Sequence, residues 1–334
     1  MTNLGIIVHL IFRNDFDMDT GLKILCAADL SEYPEVRSML ESSCRVIYIP
    51  ATQESLMDNL SDADAYFASM HVRISGEMLH VAKRLKVIST ASTGIDHIDF
   101  ETADKLNIRV LSLKNDREFL DKITATAELT WALILMCVRK IPQTQKLLRQ
   151  GTWGRDQIRG HQLSGETLGI LGCGRLGSIV AEYGRAFRMK VIGYDVLDIN
   201  NPNIENVSFN ELLKQSDILS VHIHLTEKNK KLINKDVLAK LKPNAVLINT
   251  SRGAIIDEAA LLSSLQSGHL AAAGLDVIDG EWNENILSHK LIQYSLSNDN
   301  LLITPHIGGA TYEAQELAYS FAAKKLINFL TNHS

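Results

Sequence analysis

The feature that most constrains the fold of this chain is a repeated alternation of short apolar runs with amphipathic segments. A first series begins near Lys23, and its apolar runs span residues 23–27, 45–49, 65–68, 85–90 and 109–111. The runs have the length of β-strands, whereas the segments between them, such as residues 76–83, have helical periodicity. Because strand–helix alternation places helices on both faces of a parallel sheet, this series predicts an α/β body.

A second series with the same pattern starts at Thr167. Its predicted strands span residues 167–171, 190–194, 218–222, 245–249, 272–276 and 301–304. Between the two series, an almost uniformly apolar helix is predicted from Thr124 to about Lys140, and Pro142 ends or kinks it. A final amphipathic helix is predicted over residues 311–330. The 334 residues therefore predict two α/β bodies, joined near residues 112–123 and again near 304–310.

Composition excludes several classes of function. The formal net charge is −5 and there is no basic block, so we expect no nucleic-acid partner. The longest apolar runs, such as residues 131–138, are too short to span a membrane, and residues 4–12 lack the flanking features of a signal peptide. The cysteines show no C-x-x-C spacing and lie in apolar stretches, which is typical of reduced thiols in a cytoplasmic protein without a metal site; they are Cys26, Cys44, Cys137 and Cys173.

The strongest local motif is a glycine pattern between a predicted strand and a predicted helix. Gly172, Gly174 and Gly177 form G-x-G-x-x-G after the apolar run that begins the second series. The first glycine permits a tight turn, the second lets backbone amides approach a pyrophosphate, and the third permits close packing of helix and strand. The motif predicts a dinucleotide site, although glycines of this spacing also occur in turns that are merely tight.

An acidic residue strengthens the dinucleotide interpretation. Asp195 ends the next apolar run, 18 residues beyond Gly177, where a carboxylate accepts hydrogen bonds from the adenosine ribose. The alternative is an aspartate that caps a turn at the end of a strand. Val196 and Leu197 follow without an Arg or Lys for a 2′-phosphate, so the sequence favours NAD over NADP.

Charged residues follow three later strands of the second series. Arg252 comes after residues 245–249, and a guanidinium can bind a carboxylate through two parallel hydrogen bonds. Asp279 and Glu281 come after the strand that ends at Asp276. His306 follows Thr-Pro at the end of the last strand, and a histidine paired with a carboxylate is the usual general acid–base near neutral pH. Ligands bind beyond the carboxyl ends of strands in such sheets, so these residues predict an active site.

Together these motifs resemble the D-isomer-specific 2-hydroxyacid dehydrogenase family, the relatives of D-3-phosphoglycerate dehydrogenase, over residues 23–330. The segments that carry the resemblance are residues 92–99 (STGIDHID), 126–130 (TAELT), the glycine motif with Asp195, 247–253 (LINTSRG) with Asp257 and Glu258, 274–277 (GLDV) and 304–309 (TPHIGG). The resemblance implies two Rossmann-like domains, one flavodoxin-like and one dinucleotide-binding, with the active site in the cleft between them. It further implies a substrate domain over residues 1–120 and 306–334 and an NAD domain over residues 121–305.

The resemblance also implies a role for each matching residue. Arg252 would bind the substrate carboxylate and carbonyl oxygen, His306 would be the proton donor, and Glu281 would be its paired carboxylate. Backbone amides of Arg175 and Leu176 would bind the pyrophosphate. The nicotinamide end would be lined by Thr250, Ser251, Arg252, Asp276, His306, Gly308 and Gly309. Backbone amides of Ser92, Thr93 and Gly94 would meet the substrate from the other domain.

Two departures from the family pattern concern the active site. The family usually has Glu-Pro where this chain has Glu281-Trp282, so Asp279 stays a competing partner for the histidine. His224 stands where the family usually has Pro, and we expect it in a solvent-facing loop, with contact to the cofactor as the alternative. His222 should be a packed core residue.

The predicted function is the NAD-dependent interconversion of a 2-keto acid and a D-2-hydroxy acid by a homodimer, with Trp131 and Trp153 as candidate anchors for the partner. Formate oxidation on the same scaffold is disfavoured, because that chemistry needs no acid–base pair. A second alternative is an NAD(H)-sensing interaction protein that resembles the corepressors of this family. Turnover of a 2-keto acid distinguishes it from an enzyme.

Overall fold

The structure is a computed structural model that describes residues 21–283 and 285–332, so the apolar segment at residues 4–12 lies outside the described part. The chain divides into two compact units. Of the described residues, one unit contains 21–116 and 316–332, and the other contains those from Arg117 to Gln315. Which unit binds the substrate stays a prediction.

The first unit is built on a parallel sheet. Its strands are β1 (Lys23–Cys26), β2 (Arg45–Tyr48), β3 (Ala65–Ala68), β4 (Val87–Thr90) and β5 (Arg109–Leu111), and its helices are α1 (Pro34–Glu41), α2 (Gln53–Asn59), α3 (Gly76–Val81) and α4 (Phe100–Lys105). The described strands are ordered β2-β1-β3-β4-β5, which is the flavodoxin-like order. All residues of β3 and β4 are buried, which explains why these strands are apolar without alternation.

The second unit contains the larger parallel sheet. Its strands are β6 (Thr167–Leu171), β7 (Lys190–Tyr194), β8 (Glu205–Asn206), β9 (Ile218–Val221), β10 (Ala245–Asn249), β11 (Leu270–Leu275) and β12 (Leu301–Ile303). Its helices are α5 (Arg117–Leu120), α6 (Ala125–Arg139), α7 (Ile141–Arg149), α8 (Arg175–Ala186), α9 (Phe209–Gln215), α10 (Lys235–Leu238), α11 (Glu258–Gln266) and α12 (Lys290–Ser297), and α13 (Tyr312–Asn332) starts here and continues into the first unit. The predicted α/β class and both parallel sheets are confirmed.

The described strands of the second sheet are ordered β12-β11-β10-β9-β6-β7-β8, which is the Rossmann order with one added strand. The order reverses between β6 and β9, so a crevice for a ligand is expected at their carboxyl ends. Strand β8 was not predicted, because two polar residues carry no apolar pattern. Within the described residues, no helix is both long and apolar enough to cross a membrane.

The apolar helix α6 packs against the second sheet. Trp131 is 5% exposed, stacks on Phe187 at a centroid distance of 4.6 Å, and donates from its indole nitrogen to the Val180 carbonyl oxygen at 3.2 Å. The proposal that Trp131 anchors a partner subunit is therefore wrong, because its own unit already covers it. The helix ends at Arg139, and Lys140 adopts a left-handed conformation before α7 begins with Pro142 in its first turn, which confirms the predicted break.

Candidate active site

The turn between β6 and α8 is shaped by glycines. Gly172 has a φ of +93°, a conformation that other residues rarely adopt, and it lies against the backbone of His222 just after β9. At Gly177 a Cβ would overlap the carbonyl oxygen of Gly172. These two glycines therefore allow α8 to begin directly against β6, at the point where the strand order reverses.

Gly174 has no such packing role, because a Cβ there would meet no atom of the protein within 4 Å. It directly precedes α8, whose first turn contains no acidic side chain. The space in front of this helix N-terminus is therefore open, and free backbone amides at such a terminus attract phosphate. The turn fits the pyrophosphate of a dinucleotide next to the amides of Arg175 and Leu176.

The side chain of Arg175, unlike its backbone amide, contacts other parts of the protein. Its Nη1 donates to the carbonyl oxygens of Leu120 at 2.7 Å and Ile123 at 2.5 Å, in the segment that enters the second unit. Burial lowers the pKa of this guanidinium. The side chain thus ties the entering segment to the start of α8, and only the backbone of Arg175 is left to face a phosphate.

Asp195 directly follows β7 and lies beside the glycine turn. Its Oδ2 accepts from the Cys173 backbone N–H at 2.7 Å, and its Oδ1 accepts from that of Leu197 at 3.1 Å. The carboxylate therefore does cap the turn. Each of its oxygens has a second lone pair, so the cap leaves acceptors for ribose hydroxyls. Val196 and Leu197 are 87% and 76% exposed, next to this carboxylate.

The loop that carries Arg252 is held by hydrogen bonds at the end of β10. Asn249 Oδ1 accepts from the Ser251 backbone N–H at 3.0 Å and from its hydroxyl at 2.7 Å. Asn249 Nδ2 donates to the Arg252 carbonyl oxygen at 2.9 Å. The Thr250 hydroxyl lies 2.8 Å from the Thr130 hydroxyl on α6. The backbone around the partly buried Arg252 is therefore fixed on both sides, and its Nη1 donates to the Ser251 carbonyl oxygen at 2.7 Å.

Sequence reasoning assigned no role to Asn249 or Thr130, although both help to shape this loop. Asn249 is fully buried at the end of an apolar strand, and Thr130 is fully buried on an apolar helix. Buried polar residues of this kind must find hydrogen-bond partners. A polar residue within an apolar run was therefore the signal that could have identified them.

Asp276 organises the loop that carries His306. This residue follows β11 and is 1% exposed. It accepts three hydrogen bonds from residues that follow β12 in the chain. Its Oδ1 accepts from the Thr304 hydroxyl at 2.6 Å and from the Ile307 N–H at 2.9 Å, and its Oδ2 accepts from the Gly308 N–H at 2.8 Å. Burial raises the pKa of Asp276, and these hydrogen bonds oppose the shift.

His306 has a φ of +54°, which is uncommon for a residue with a side chain. Its backbone N–H donates to the Asp276 carbonyl oxygen at 2.8 Å, and the Asp276 side chain accepts from the Gly308 N–H two residues later. Asp276 therefore holds the uncommon backbone conformation of His306 in place. Its Nδ1 lies 2.8 Å from Glu281 Oε1. Asp279 is exposed and does not take this place. The structure therefore brings together His306 and Glu281.

Two glycines complete the His306 loop. At Gly308 a Cβ would lie 2.9 Å from Asp276 Oδ2 and about as close to Thr126, so the loop packs tightly there. At Gly309 a Cβ would meet no protein atom within 4 Å. The loop is thus closely packed at its base and open at Gly309.

The predicted substrate turn lies in the first unit, after β4. The Ser92 hydroxyl donates to the Gly94 carbonyl oxygen at 2.6 Å, closing the turn around Thr93. The Thr90 hydroxyl lies 2.9 Å from that of Ser92 and 3.2 Å from His97 Nε2. The turn is therefore supported by a buried polar cluster at the carboxyl end of its own sheet.

The two remaining histidines of interest follow β9. His222 Nε2 lies 2.8 Å from the Ser220 hydroxyl, and burial lowers the pKa of His222 to about 4. The lowered pKa keeps His222 neutral near pH 7, and the residue lies half-buried beside the glycine turn rather than fully within the core. His224 is exposed. Among the described residues, no group of three or more His, Cys, Asp or Glu is placed to bind a metal ion.

The comparison with known proteins identifies the family. Residues 131–308, more than half of the chain, match the model of the D-isomer specific 2-hydroxyacid dehydrogenase NAD-binding domain. The chain belongs to the D-isomer-specific 2-hydroxyacid dehydrogenase family. It is therefore an NAD-dependent oxidoreductase, and the dinucleotide that fits the glycine turn is NAD.

Individual members of this dehydrogenase family match a larger part of the chain than the domain model does. A glyoxylate reductase from Thermofilum pendens is 36% identical over 307 residues, covering 88% of this chain and 87% of that protein. A D-3-phosphoglycerate dehydrogenase from Methanocaldococcus jannaschii is 35% identical over 82% of this chain, but the match covers 51% of that protein, about half its length. The solved D-lactate dehydrogenase from Aquifex aeolicus, complexed with NAD and lactic acid, superposes with a TM-score of 0.80 at 29% identity, covering 93% of this chain and 96% of that one.

Proposed function

We propose that this dehydrogenase interconverts a short 2-keto acid and the corresponding D-2-hydroxy acid, with His306 as the acid–base group. The observation that carries the proposal is the 2.8 Å contact between His306 Nδ1 and Glu281 Oε1 in the NAD-binding unit. A carboxylate at this distance orients the ring and stabilises its protonated form, which suits a histidine to proton transfer near neutral pH.

In the reductive direction, His306 donates a proton from Nε2 to the oxygen that was the carbonyl of the 2-keto acid. Glu281 accepts the hydrogen on Nδ1, which directs Nε2 to the substrate and stabilises the imidazolium before transfer. In the oxidative direction, the neutral ring removes the hydroxyl proton. NAD, when bound, supplies the complementary chemistry, because its nicotinamide C4 donates or accepts the hydride at C2 of the substrate.

Arg252 binds the substrate carboxylate in this proposal. Its guanidinium can form two parallel hydrogen bonds to a carboxylate and also polarise the neighbouring carbonyl oxygen. The network around Asn249 supports this role, since it fixes the backbone on either side of Arg252.

The activities of similar proteins support a short substrate. One relative is a glyoxylate reductase, and one solved neighbour is a D-lactate dehydrogenase with lactic acid bound. Both substrates are unbranched monocarboxylic acids of two or three carbons. We therefore expect this chain to act on a short 2-keto acid such as glyoxylate, pyruvate or hydroxypyruvate. The match to a D-3-phosphoglycerate dehydrogenase makes 3-phosphohydroxypyruvate the alternative to be tested.

The test is the rate of NADH oxidation with a panel of glyoxylate, pyruvate, hydroxypyruvate, 3-phosphohydroxypyruvate and 2-ketoisocaproate. His306→Asn should lower kcat with the best substrate by roughly 10²–10⁴ while NADH binding, followed by its fluorescence, stays close to that of the wild type. A near-normal kcat in this variant would contradict the assigned mechanism. Tight NADH binding without turnover of any acid would instead favour an NAD(H)-sensing protein.

The quaternary structure we propose is a homodimer formed through α6, α7 and Trp153. The outer face of α6 leaves Leu129, Ala132 and Met136 partly or fully exposed, and α7 has no buried residue. Trp153 is 84% exposed. Apolar groups gathered in this way are typical of a protein interface. Sedimentation of the wild type should give twice the mass of one chain, whereas Trp153→Arg should shift the equilibrium toward the monomer.

A further inference from the structure

The segment that carries Glu281 has no regular secondary structure of its own. We call residues 276–283 the Glu281 segment; it follows β11 as a series of bends and turns. Backbone hydrogen bonds hold the segment at Asp276, whose N–H donates to the Asn249 carbonyl oxygen at 2.9 Å. The residues of the segment after Asp276 belong to no strand or helix, so their position depends on contacts with neighbouring residues. The distance between Glu281 and His306 depends on these contacts.

The first contact joins the Glu281 segment to the Arg252 loop. Gly253 packs against the backbone of Ile278 and Asp279 so closely that a Cβ at Gly253 would overlap both. The backbones on either side of the proposed site are therefore in van der Waals contact. A displacement of the Glu281 segment would also change the surroundings of Arg252.

The second contact is a hydrogen bond from the segment to α11. The backbone N–H of Asp279 donates to Glu258 Oε1 at 2.8 Å. Glu258 is the first residue of α11, but Asp257 caps that helix by accepting from the N–H groups of Ala259 and Ala260. The Glu258 carboxylate is therefore free of a capping role and reaches the neighbouring segment instead.

His289 holds the other oxygen of Glu258. His289 Nε2 lies 3.1 Å from Glu258 Oε2, and its Nδ1 accepts from the Leu291 N–H at 3.3 Å, at the start of α12. Because Nδ1 is an acceptor, the hydrogen of the neutral ring is on Nε2 and points to Glu258. The contact thus needs no protonation of His289.

Because Glu258 is mostly buried, the position of its carboxylate depends on both of its partners, the Asp279 N–H and His289. Its side chain is 20% exposed, as is that of His289. Burial and the nearby Asp279 charge raise the pKa of Glu258, whereas the Asp279 N–H and His289 lower it. A partly buried carboxylate with both oxygens bonded has a defined position, and removal of either partner leaves an uncompensated polar group.

We propose that Glu258, braced by His289, is a positioning residue that sets Glu281 against His306 by fixing the backbone at Asp279. Glu258 touches neither substrate nor cofactor in this scheme and acts through the Glu281 segment. The inference rests on the proposed acid–base role of His306.

The kinetic test compares variants of the brace with a matched control. Glu258→Ala should lower kcat by roughly 10-fold to 10²-fold with NADH affinity unchanged, the range for a group displaced by about 1 Å. His289→Asn, which can still cap α12 but is too short to reach Glu258, should give a smaller loss in the same direction. Glu211→Ala is the control, since Glu211 accepts from the Ser208 N–H at 2.9 Å elsewhere in the unit. It should change stability but not kcat.

A double-mutant cycle separates positioning from general destabilisation. In a Glu281→Gln background, Glu258→Ala should lower kcat by less than about twofold, because the group that it positions is already disabled. Equal losses in the two backgrounds would overturn the proposal. If Glu258→Ala does not fold, the same cycle with His289→Asn decides the question.

A second test, by NMR spectroscopy, does not depend on enzyme activity. The ring resonances of His306 in NMR spectra of the full chain should shift in Glu258→Ala and in His289→Asn but not in Glu211→Ala. Unchanged His306 resonances in both brace variants would overturn the proposal even if the enzyme is active. Shifted resonances in a chain that reduces no 2-keto acid would support the brace and reject the proposed function.

Discussion

The glycine turn and the His306 loop both follow strands of one sheet, yet they are held in different ways. The glycine turn is shaped by residues within the turn itself, because Gly177 packs on Gly172 five positions earlier. The His306 loop is shaped by Asp276, which precedes its partners there by 28, 31 and 32 positions. Backbone sterics thus define the cofactor end of the proposed site, whereas one buried carboxylate defines the proton-transfer end.

The largest expected effect is on the His306 loop. Asp276→Ala leaves two backbone N–H groups, those of Ile307 and Gly308, without their acceptor. Each such group costs about 1–3 kcal/mol, so the free energy of unfolding in urea should fall by roughly 2–6 kcal/mol. Thr304→Val, which removes a single hydroxyl donor, should cost less. Equal losses in the two variants would mean that Asp276 does not organise the loop.

The second-largest expected effect is a difference in stability between substitutions at Gly177, which packs closely, and at Gly174, which does not. Gly177→Ala places a Cβ on the Gly172 carbonyl oxygen and should destabilise the unit by about 2–3 kcal/mol. Gly174→Ala meets no protein atom, so its stability should stay within about 1 kcal/mol of the wild type. It should nevertheless weaken NADH binding, measured by fluorescence titration. Wild-type affinity in Gly174→Ala would show that no ligand approaches that backbone.

A pH-dependent effect is expected beside the glycine turn. The pKa of His222 is lowered from 6.5 to about 4 by burial, so between these values the unfolded chain binds a proton that the native chain does not. Stability should therefore be lost as the pH falls from about 6.5 to about 4, by at most about 3 kcal/mol for this group. The free energy of unfolding of His222→Gln should depend less on pH over this range than that of the wild type, as measured by urea titrations at several pH values.

The smallest expected effect concerns cofactor choice. Asp195 lies beside the glycine turn, where its negative charge should repel a 2′-phosphate and its free lone pairs should accept from ribose hydroxyls. We expect NADH to be preferred to NADPH by at least roughly tenfold in kcat/KM, or about 1.4 kcal/mol. Asp195→Asn should narrow that ratio. Comparable kcat/KM values in the wild type would contradict the assigned role of Asp195.

Much of the fold was predictable because its signals are local. Strands such as β6 and β10 are buried on both faces, so each is a continuous apolar run in the sequence. The two residues of β8 lack that signal and were missed. Trp131 was misread for a related reason, since an apolar helix does not reveal whether its own unit or a partner covers a given side chain.

The sequence by itself determined the α/β class, the glycine turn and the identity of the charged residues that follow strand ends. These features depend on side-chain size, backbone freedom and periodicity over a few positions. Only the tertiary structure decided that Glu281 rather than Asp279 meets His306, that Asp276 organises the His306 loop, and that Glu258 reaches Asp279. Each of these contacts joins residues 21 to 32 positions apart through irregular segments, whose paths depend on packing that no local pattern encodes.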